Sequence, residues 1–520
     1  MDSQLHRLPT VGSQALLALR RFPDRVAFAW DGGALTSAAV VDLIARMQKV
    51  FVSGGFGRGH RMAMLSRNRV ETWIAGVAAQ LSAMSITWLN GLGSLEDQLA
   101  QLEDFEADIL VIDAKAFRER GGDLAARAPR LRQVFSLGPA DCGADLLAAA
   151  DQAGATSPRD LATPDDVAVS IYTGGTTGRS KGVLRRHREY AGFSPAILAD
   201  FEIPENPRYL AVTPISHVAG TKILPILMRG GTVHLGTHFD PEAMFATIAR
   251  ERINVALLVP TMIYLLLDHP KLGSADLSSL ELLMYGASPM SPSRLVEAIE
   301  RIGPVFCQMY GQAECYPVSV LRKSEHDAKR PELFESCGYP VAACDVRVLD
   351  DEDCEVAVGE PGEICVRGPH VMEQYWKRPE ETASALKNGW LHTGDIARAD
   401  ERGYLFILDR KKDMIVSGGM NIYPREVEDV LSAHADVAMV AVIGVPDAKW
   451  GEAVTAMVVP RPGARLAGEE LIALVKQRKG SAHAPKHVEF VETLPMTPIG
   501  KVDKKALRAK VWAGQKRMVG

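Results

Sequence analysis

The densest chemical signal in the chain is the run Tyr-Thr-Gly-Gly-Thr-Thr-Gly-Arg-Ser-Lys-Gly, from Tyr172 to Gly182, directly after the apolar stretch Val167 to Ile171. Its four glycines let backbone N–H groups approach an anion closely, its three threonines add hydroxyl donors, and Lys181 supplies positive charge. A surface turn would account for glycine and threonine, but not for their concentration behind a buried strand with a lysine at the end. The run is therefore a phosphate-binding loop. It is not a Walker A sequence, because Gly-x-x-x-x-Gly-Lys-[Ser/Thr] cannot be fitted to it. His234 and His238 lie four apart, but Gly236 between them argues against a helix and no third ligand is evident beyond Asp240, so no metal centre is read there.

The elements that must carry this loop alternate. Val26 to Trp30 reads as a strand, followed by a Ser/Thr entry into an amphipathic helix that ends near Gly54. His60 to Leu65 and Ile109 to Ile112 are strand-like, with a helical pattern from Glu71 to Ala83 between them. The alternation returns at Leu210 to Val212, Phe245 to Glu251, Val255 to Val259 and Leu282 to Tyr285, which predicts an α/β fold of parallel sheets covered by helices. Beyond about Pro340 short alternating strands such as Cys344 to Leu349 and Glu363 to Arg367 predict a barrel-like or antiparallel segment. After Arg410-Lys411-Lys412-Asp413 come a Gly-Gly turn, a helix from Pro424 to Ala433, a strand from Val437 to Ile443 and a last helix near Glu469 to Lys479. These predict a large N-terminal domain, residues 1–410, and a small mobile α+β C-terminal domain, residues 411–520.

Composition narrows the partners. With 520 residues, 47% hydrophobic and 24% charged, the chain reads as an ordinary globular protein with more than one core. A net charge of -5 and only short basic runs exclude a nucleic-acid tract or an electrostatic membrane anchor. The seven cysteines are an odd number without a Cys-x-x-Cys pair, which predicts reduced thiols in the cytoplasm. Cys315 reads as a small packed thiol rather than a nucleophile. The N-terminus has no secretory pattern, and Ile253 to Leu267 is too short and too polar to span a bilayer.

Six further motifs follow the loop in order: TPISHVAG (Thr213 to Gly220), YGASP (Tyr285 to Pro289), QMYGQAE (Gln308 to Glu314), HTGD (His392 to Asp395), LDRKKDMIVSGGMNIYPREVE (Leu408 to Glu428) and PMTPIGKVDKKAL (Pro495 to Leu507). With them the chain resembles the acyl-adenylate-forming superfamily of acyl-CoA synthetases, aryl-CoA ligases, luciferases and peptide-synthetase adenylation domains. The resemblance implies an AMP-forming carboxylic acid:CoA ligase using ATP, Mg2+ and coenzyme A, and is compatible with a homodimer. It implies that Thr173, Gly174, Gly175, Thr176, Thr177 and Lys181 grip the ATP phosphates, that Glu314 binds Mg2+, and that Lys501 bridges the carboxylate and α-phosphate oxygens. Asp395 would accept from the ribose hydroxyls, with Ile407 and Arg410 assisting. Gly286, Ala287 and Ser288, with Gln308, Met309, Tyr310 and Gly311, would enclose adenine. His217 would line the carboxylate entrance as a third catalytic residue.

The same resemblance implies an acyl pocket from His217, Val218, Thr261, Tyr285, Met309, Gly311 and Tyr316. Val218 stands where amino-acid-activating relatives carry an aspartate, which points to an apolar acid, whether aryl, alicyclic or fatty. Tyr285, bulkier than the small residue common there, would narrow the pocket in favour of a compact acid. Gly418, Gly419, Trp450 and Lys486 match CoA-contacting positions, and Lys412 matches the hinge. Ala313 replaces the usual threonine, removing one hydroxyl contact to the α-phosphate. Leu92, Ala482 and Ala484 stand where CoA-binding relatives often carry basic or aromatic residues, so a carrier-protein phosphopantetheine is the alternative thiol. A non-catalytic nucleotide-binding relative is the third reading.

Overall fold

The computed structural model describes residues 8–154, 157–173, 180–447, 449–497 and 502–512. Two large sheets carry the first three quarters of the chain. In one, the parallel strands run in the order Phe306–Tyr310, Leu282–Gly286, Val255–Leu258, Arg208–Ala211, Thr232–Leu235 and Val26–Trp30, with antiparallel strands at either edge. In the other, Val167–Thr173, Ser85–Trp88, Arg61–Leu65, Ile109–Ile112, Gln133–Ser136 and Ala144–Asp145 are parallel, and Lys181–Arg186 returns antiparallel beside Val167–Thr173.

The strands are apolar on both sides because both faces are covered. Ile109–Ile112 and Val255–Leu258 are buried at every position. Along Leu282–Gly286 the side chains alternate between two cores: Leu282 and Met284 pack into one cluster, Leu283 and Tyr285 into another. The covering helices begin at side-chain caps. Thr36 accepts from the backbone of Ala39 ahead of Ser37–Ser53, which stops at Gly54, and Asp240 caps Pro241–Glu251 through the backbone of Ala243.

The expected antiparallel segment is a five-stranded sheet in which Trp390–Ala399 pairs with Gly362–Arg367 on one side and Leu405–Arg410 on the other. The tail unit is a second five-stranded sheet. Its centre is the long hairpin Val437–Asp447 and Gly451–Pro460, flanked by the helices Pro424–Ser432, Gly468–Lys479 and Lys504–Val511. Two tail expectations are corrected. The strand from Val437 runs four residues further than expected, because a full partner strand extends its ladder. The helix near Glu469 is not the last, since Lys504–Val511, capped by Asp503, follows it. Among the described residues no helix is long and apolar enough to cross a membrane.

Candidate active site

The hairpin that carries the glycine-threonine loop is clamped at its neck. Thr173 pairs with Lys181 and Tyr172 with Gly182 across the two strands. The Tyr172 hydroxyl donates to Asp104 Oδ2 at 2.6 Å, and the Trp376 backbone N–H donates to the Gly182 carbonyl at 2.7 Å. A Cβ on Gly182 would meet Ser170 Oγ at 2.7 Å, so the close approach of the strands requires glycine there. Gly174, Gly175, Thr176 and Thr177 lie outside the described residues. Lys181 Nζ sits 2.5 Å from Glu381 Oε2 and 5.2 Å from the centre of the Tyr375 ring, so it faces the segment that also holds Glu314.

The segment Phe306–Tyr310 and the turn after it bring most of the remaining candidates together. The buried Asp395 carboxylate accepts the Tyr310 hydroxyl at 2.6 Å and Gln312 Nε2 at 2.6 Å on Oδ2, while Arg410 Nε lies 3.1 Å from Oδ1. Burial and then the Asp395 charge push the Tyr310 hydroxyl well up, so it stays a donor. The Asp395 charge likewise raises the Arg410 guanidinium. Asp395 reaches this position because the backbone bends at Gly394, whose φ of +72° is open to glycine, and because the Gly394 N–H is held by Glu363 Oε1 at 2.8 Å. Ile407, on the neighbouring strand, is half-buried and packs against the core of this antiparallel sheet.

Two residues beyond Gln312, Glu314 is half-buried and its Oε1 accepts the Tyr375 hydroxyl at 2.7 Å. Burial first, then the neighbouring Glu314, push the Tyr375 hydroxyl up, which keeps it a donor to the Glu314 side chain. A carboxylate offers hard oxygens of the type Mg2+ takes, and Mg2+ usually completes its shell with substrate phosphates and water.

Among the acyl-pocket candidates, His217 is exposed, with Nδ1 2.8 Å from Ser216 Oγ. Val218 and Thr261 are half-buried. Met309 and Tyr316 are buried and touch, the Tyr316 hydroxyl lying 3.0 Å from Met309 Sδ. Gly311 leaves room for this turn: a Cβ there would meet the Tyr316 ring at 2.8 Å. Gly286 is likewise demanded by a close approach, since its Cβ would meet the Met309 carbonyl oxygen at 2.3 Å. Ala287 is exposed at a φ of +68°, and Ser288 beside it is half-buried.

Tyr285 is a correction. Its ring is fully buried in the core on the other face of the sheet from Met309, against Phe306 and His326, and its hydroxyl contacts Gln308 Oε1 at 3.2 Å and His326 Nε2 at 3.0 Å. Strand alternation turns it away from the acyl side, so it does not line or narrow that pocket. The Gln308 side chain shares that interior contact, which leaves only its backbone to face a base.

The thiol-side candidates form a second group. Gly418 and Gly419, at φ of +58° and +78°, make the two-residue turn between Ile415–Ser417 and Met420–Ile422. The Gly418 N–H donates to the Trp450 carbonyl at 2.8 Å, and a Cβ on Gly418 would meet the Trp450 ring at 2.9 Å. Lys486 Nζ stands 4.9 Å from the centre of the same ring. Lys412 is half-buried in the tight turn after Arg410, with burial and then the Arg410 charge lowering its pKa. Lys501 lies outside the described residues; the chain on either side of it is tied by a Met496–Val502 bridge.

Sequence reasoning missed the residues that hold these groups. Gln312 sits inside a motif already singled out and was open to discovery. Tyr375, 61 residues from Glu314, and Glu381, opposite Lys181, carry no local pattern.

Comparison with known proteins identifies the family. The family model described as AMP-binding enzyme matches residues 17–376, and that described as AMP-binding enzyme C-terminal domain matches residues 426–501. The chain is 42% identical to a medium/long-chain-fatty-acid–CoA ligase, FadD8, of Mycobacterium tuberculosis, over 100% of this chain and 93% of the relative. It is 38% identical to a feruloyl-CoA synthase of Amycolatopsis, over 96% of this chain and 99% of the relative. Among solved structures, the amide bond synthetase McbA from Marinactinospora thermotolerans superposes with a TM-score of 0.88 at 34% identity, covering 95% of this chain and 99% of its own. The chain belongs to the AMP-binding enzyme family, the adenylate-forming superfamily in which acyl-CoA ligases fall.

Proposed function

We propose that the chain activates an apolar carboxylic acid, whether fatty, aryl or alicyclic, as its acyl-AMP in the cleft between Lys181, Glu314 and Asp395, and then passes the acyl group to coenzyme A. That the chain is an AMP-forming acid–thiol ligase follows from its whole-length match to CoA ligases. The residue roles below are our reading. What supports them best is that Tyr310 and Gln312, on the segment that leads directly to Glu314, meet Asp395 and Arg410 from the antiparallel sheet.

A carboxylate is a poor acyl donor because its leaving oxygen is too basic, and esterification to AMP removes that obstacle. In the first step the substrate carboxylate attacks the α-phosphorus of ATP and pyrophosphate leaves. Negative charge gathers on the phosphoryl oxygens, so the protein's work is positioning and charge stabilisation. Lys181 and the loop before it would hold the leaving phosphates. Asp395 would accept from the ribose hydroxyls, its other contacts fixing the carboxylate's orientation. Glu314 would hold Mg2+, which when bound supplies positive charge to the phosphates. Lys501 would bring a cation to the reacting oxygens. Val218, Thr261, Met309 and Tyr316 would line the acyl group behind an entrance at His217.

In the second step the thiol attacks the acyl carbonyl and AMP leaves. The division between the two units would fall between residues 410 and 411, with Lys412 as the hinge. A turn of the small unit would withdraw Lys501 and present the Gly418–Gly419 turn and Trp450 to the incoming thiol. An acid panel of fatty, aryl and alicyclic members, scored for AMP with and without CoA, tests the reading. AMP and acyl-CoA with an apolar acid support it. Acyl-AMP without transfer to free CoA moves the thiol to a carrier protein, and ATP binding without AMP from any acid overturns it.

A further inference from the structure

Immediately after Glu314 the chain enters a second cluster that adenylation does not use. Cys315, Cys344 and His370 come from three separate segments, and their ligating atoms all lie within 4.8 Å of one another. Cys344 Sγ is 3.2 Å from His370 Nε2 and 4.0 Å from the carbonyl oxygen of Pro317, and His370 Nε2 is 2.8 Å from that same carbonyl. Cys315 and His370 are fully buried, and Cys344 is half-buried.

Tetrahedral zinc bound at ~2.3 Å to sulfur and ~2.05 Å to nitrogen separates neighbouring S and N ligands by about 3.5 Å. The Cys344–His370 spacing is close to that without any movement of the backbone. We propose that Cys315, Cys344 and His370 form a Zn2+ site, with its fourth position beside the Pro317 carbonyl. Binding releases the two thiol protons to solvent and moves the imidazole proton from Nε2, which now donates to the Pro317 carbonyl, to Nδ1, leaving two thiolates and one neutral imidazole bound through Nε2.

The donor set separates this site chemically from Glu314. Two sulfurs and an imidazole suit a borderline or soft ion, whereas a lone carboxylate among phosphates suits Mg2+. Beside this cluster Arg185 is fully buried over the Phe193 ring at 4.9 Å, and that ring lies 6.0 Å from the His370 ring. None of the three guanidinium nitrogens of Arg185 has a hydrogen-bond partner among the described residues. The ion would also fasten the loop carrying Glu314 to the 370–372 segment, where Met372 N–H already donates to the Glu314 carbonyl at 2.8 Å and Cys315 bridges Val371.

The test uses the full chain without an affinity tag, reduced, stripped with a chelator and titrated with Zn2+ and, separately, Co2+. One equivalent of Zn2+ should bind and survive excess Mg2+, and Co2+ should give thiolate charge-transfer absorption. Cys344→Ser and His370→Gln should each weaken binding by about tenfold or more. Metal-free Cys344→Ser should melt like the metal-free parent, and if it does not fold, the Co2+ spectrum of the parent decides alone. The proposal is overturned by a Co2+ spectrum without thiolate absorption or by equal binding in Cys344→Ser.

Discussion

The Tyr310 hydroxyl and the Asp395 carboxylate meet at 2.6 Å, although one residue ends a parallel strand of the large sheet and the other lies in the antiparallel sheet. Two architectural units are thereby joined at the carboxylate proposed to read ribose. Hydrogen bonds to a charged group contribute ~1.5 to 3 kcal/mol, or about tenfold to 150-fold. Asp395→Ala should therefore lower kcat/KM for ATP by at least about tenfold, mainly through KM. Tyr310→Phe should give a smaller loss of the same kind, since Gln312 and Arg410 still hold the carboxylate. Steady-state kinetics over ATP concentration decides it, and an unchanged KM for ATP in both variants removes Asp395 from the nucleotide site.

Glu314 is held by one hydroxyl, so its role can be separated from its placement. Glu314→Gln keeps the shape and the Tyr375 contact but loses the charge, and it should shift the Mg2+ dependence of adenylation to higher concentration. Tyr375→Phe keeps the charge and should leave the Mg2+ midpoint nearer the parent while lowering the maximal rate. A metal titration of Glu314→Gln that overlays the parent would assign Mg2+ to other ligands.

Lys501 and the reacting phosphate offer a cleaner division. Lys501→Ala should abolish pyrophosphate exchange yet still make thioester from supplied acyl-AMP, because the bond between carboxylate and α-phosphorus that Lys501 would help to form is already made in acyl-AMP. Equal loss of both half-reactions would end the two-position account of the small unit.

The converse holds at the Gly418–Gly419 turn. A side chain on Gly418 must occupy both a positive φ and the space of the Trp450 ring. Gly418→Ala and Trp450→Ala should slow thioester formation from acyl-AMP by about tenfold or more while sparing pyrophosphate exchange, if that face guides the thiol. Loss of exchange to the same degree would instead mean that the turn shapes the adenylation cleft.

Sequence patterns made the parallel strands legible because burial on both faces leaves runs such as Ile109 to Ile112 with no polar residue to confuse. The phosphate loop was singled out by its own composition, four glycines and three threonines behind an apolar strand with a lysine at the end, whereas Asp395 was reached only through the resemblance of its His-Thr-Gly-Asp motif. The partners of those residues were not. Tyr375, Glu381 and Arg185 act through contacts between distant segments, and Tyr285 was misread because a motif does not say which face of a strand a side chain takes. The Cys315, Cys344 and His370 cluster escaped for the same reason, since spacings of this length match no metal-binding pattern.

Lys222 carries a pH signature that follows from where it sits. It is fully buried, donates to Thr221 Oγ1 at 3.1 Å and to the Tyr316 hydroxyl, and lies over the Tyr316 ring at 4.4 Å, with no carboxylate among these contacts. Burial lowers its pKa from 10.5 to about 7. Below about 7 the folded and unfolded states are both protonated and the cost of burying the charge is fully present. Between that value and 10.5 the unfolded chain holds a proton that the folded one has lost, so the stability attributable to this group rises with pH, by up to about 1.4 kcal/mol per unit. Lys222→Met removes the titration and keeps most of the volume. Its stability relative to the parent should be most favourable at and below neutral pH and should fall steadily as the pH is raised. Tyrosines and cysteines common to both proteins cancel in the difference. Urea unfolding of the pair across that range checks it, and parallel curves would mean that Lys222 keeps its charge when folded and that an anion faces it.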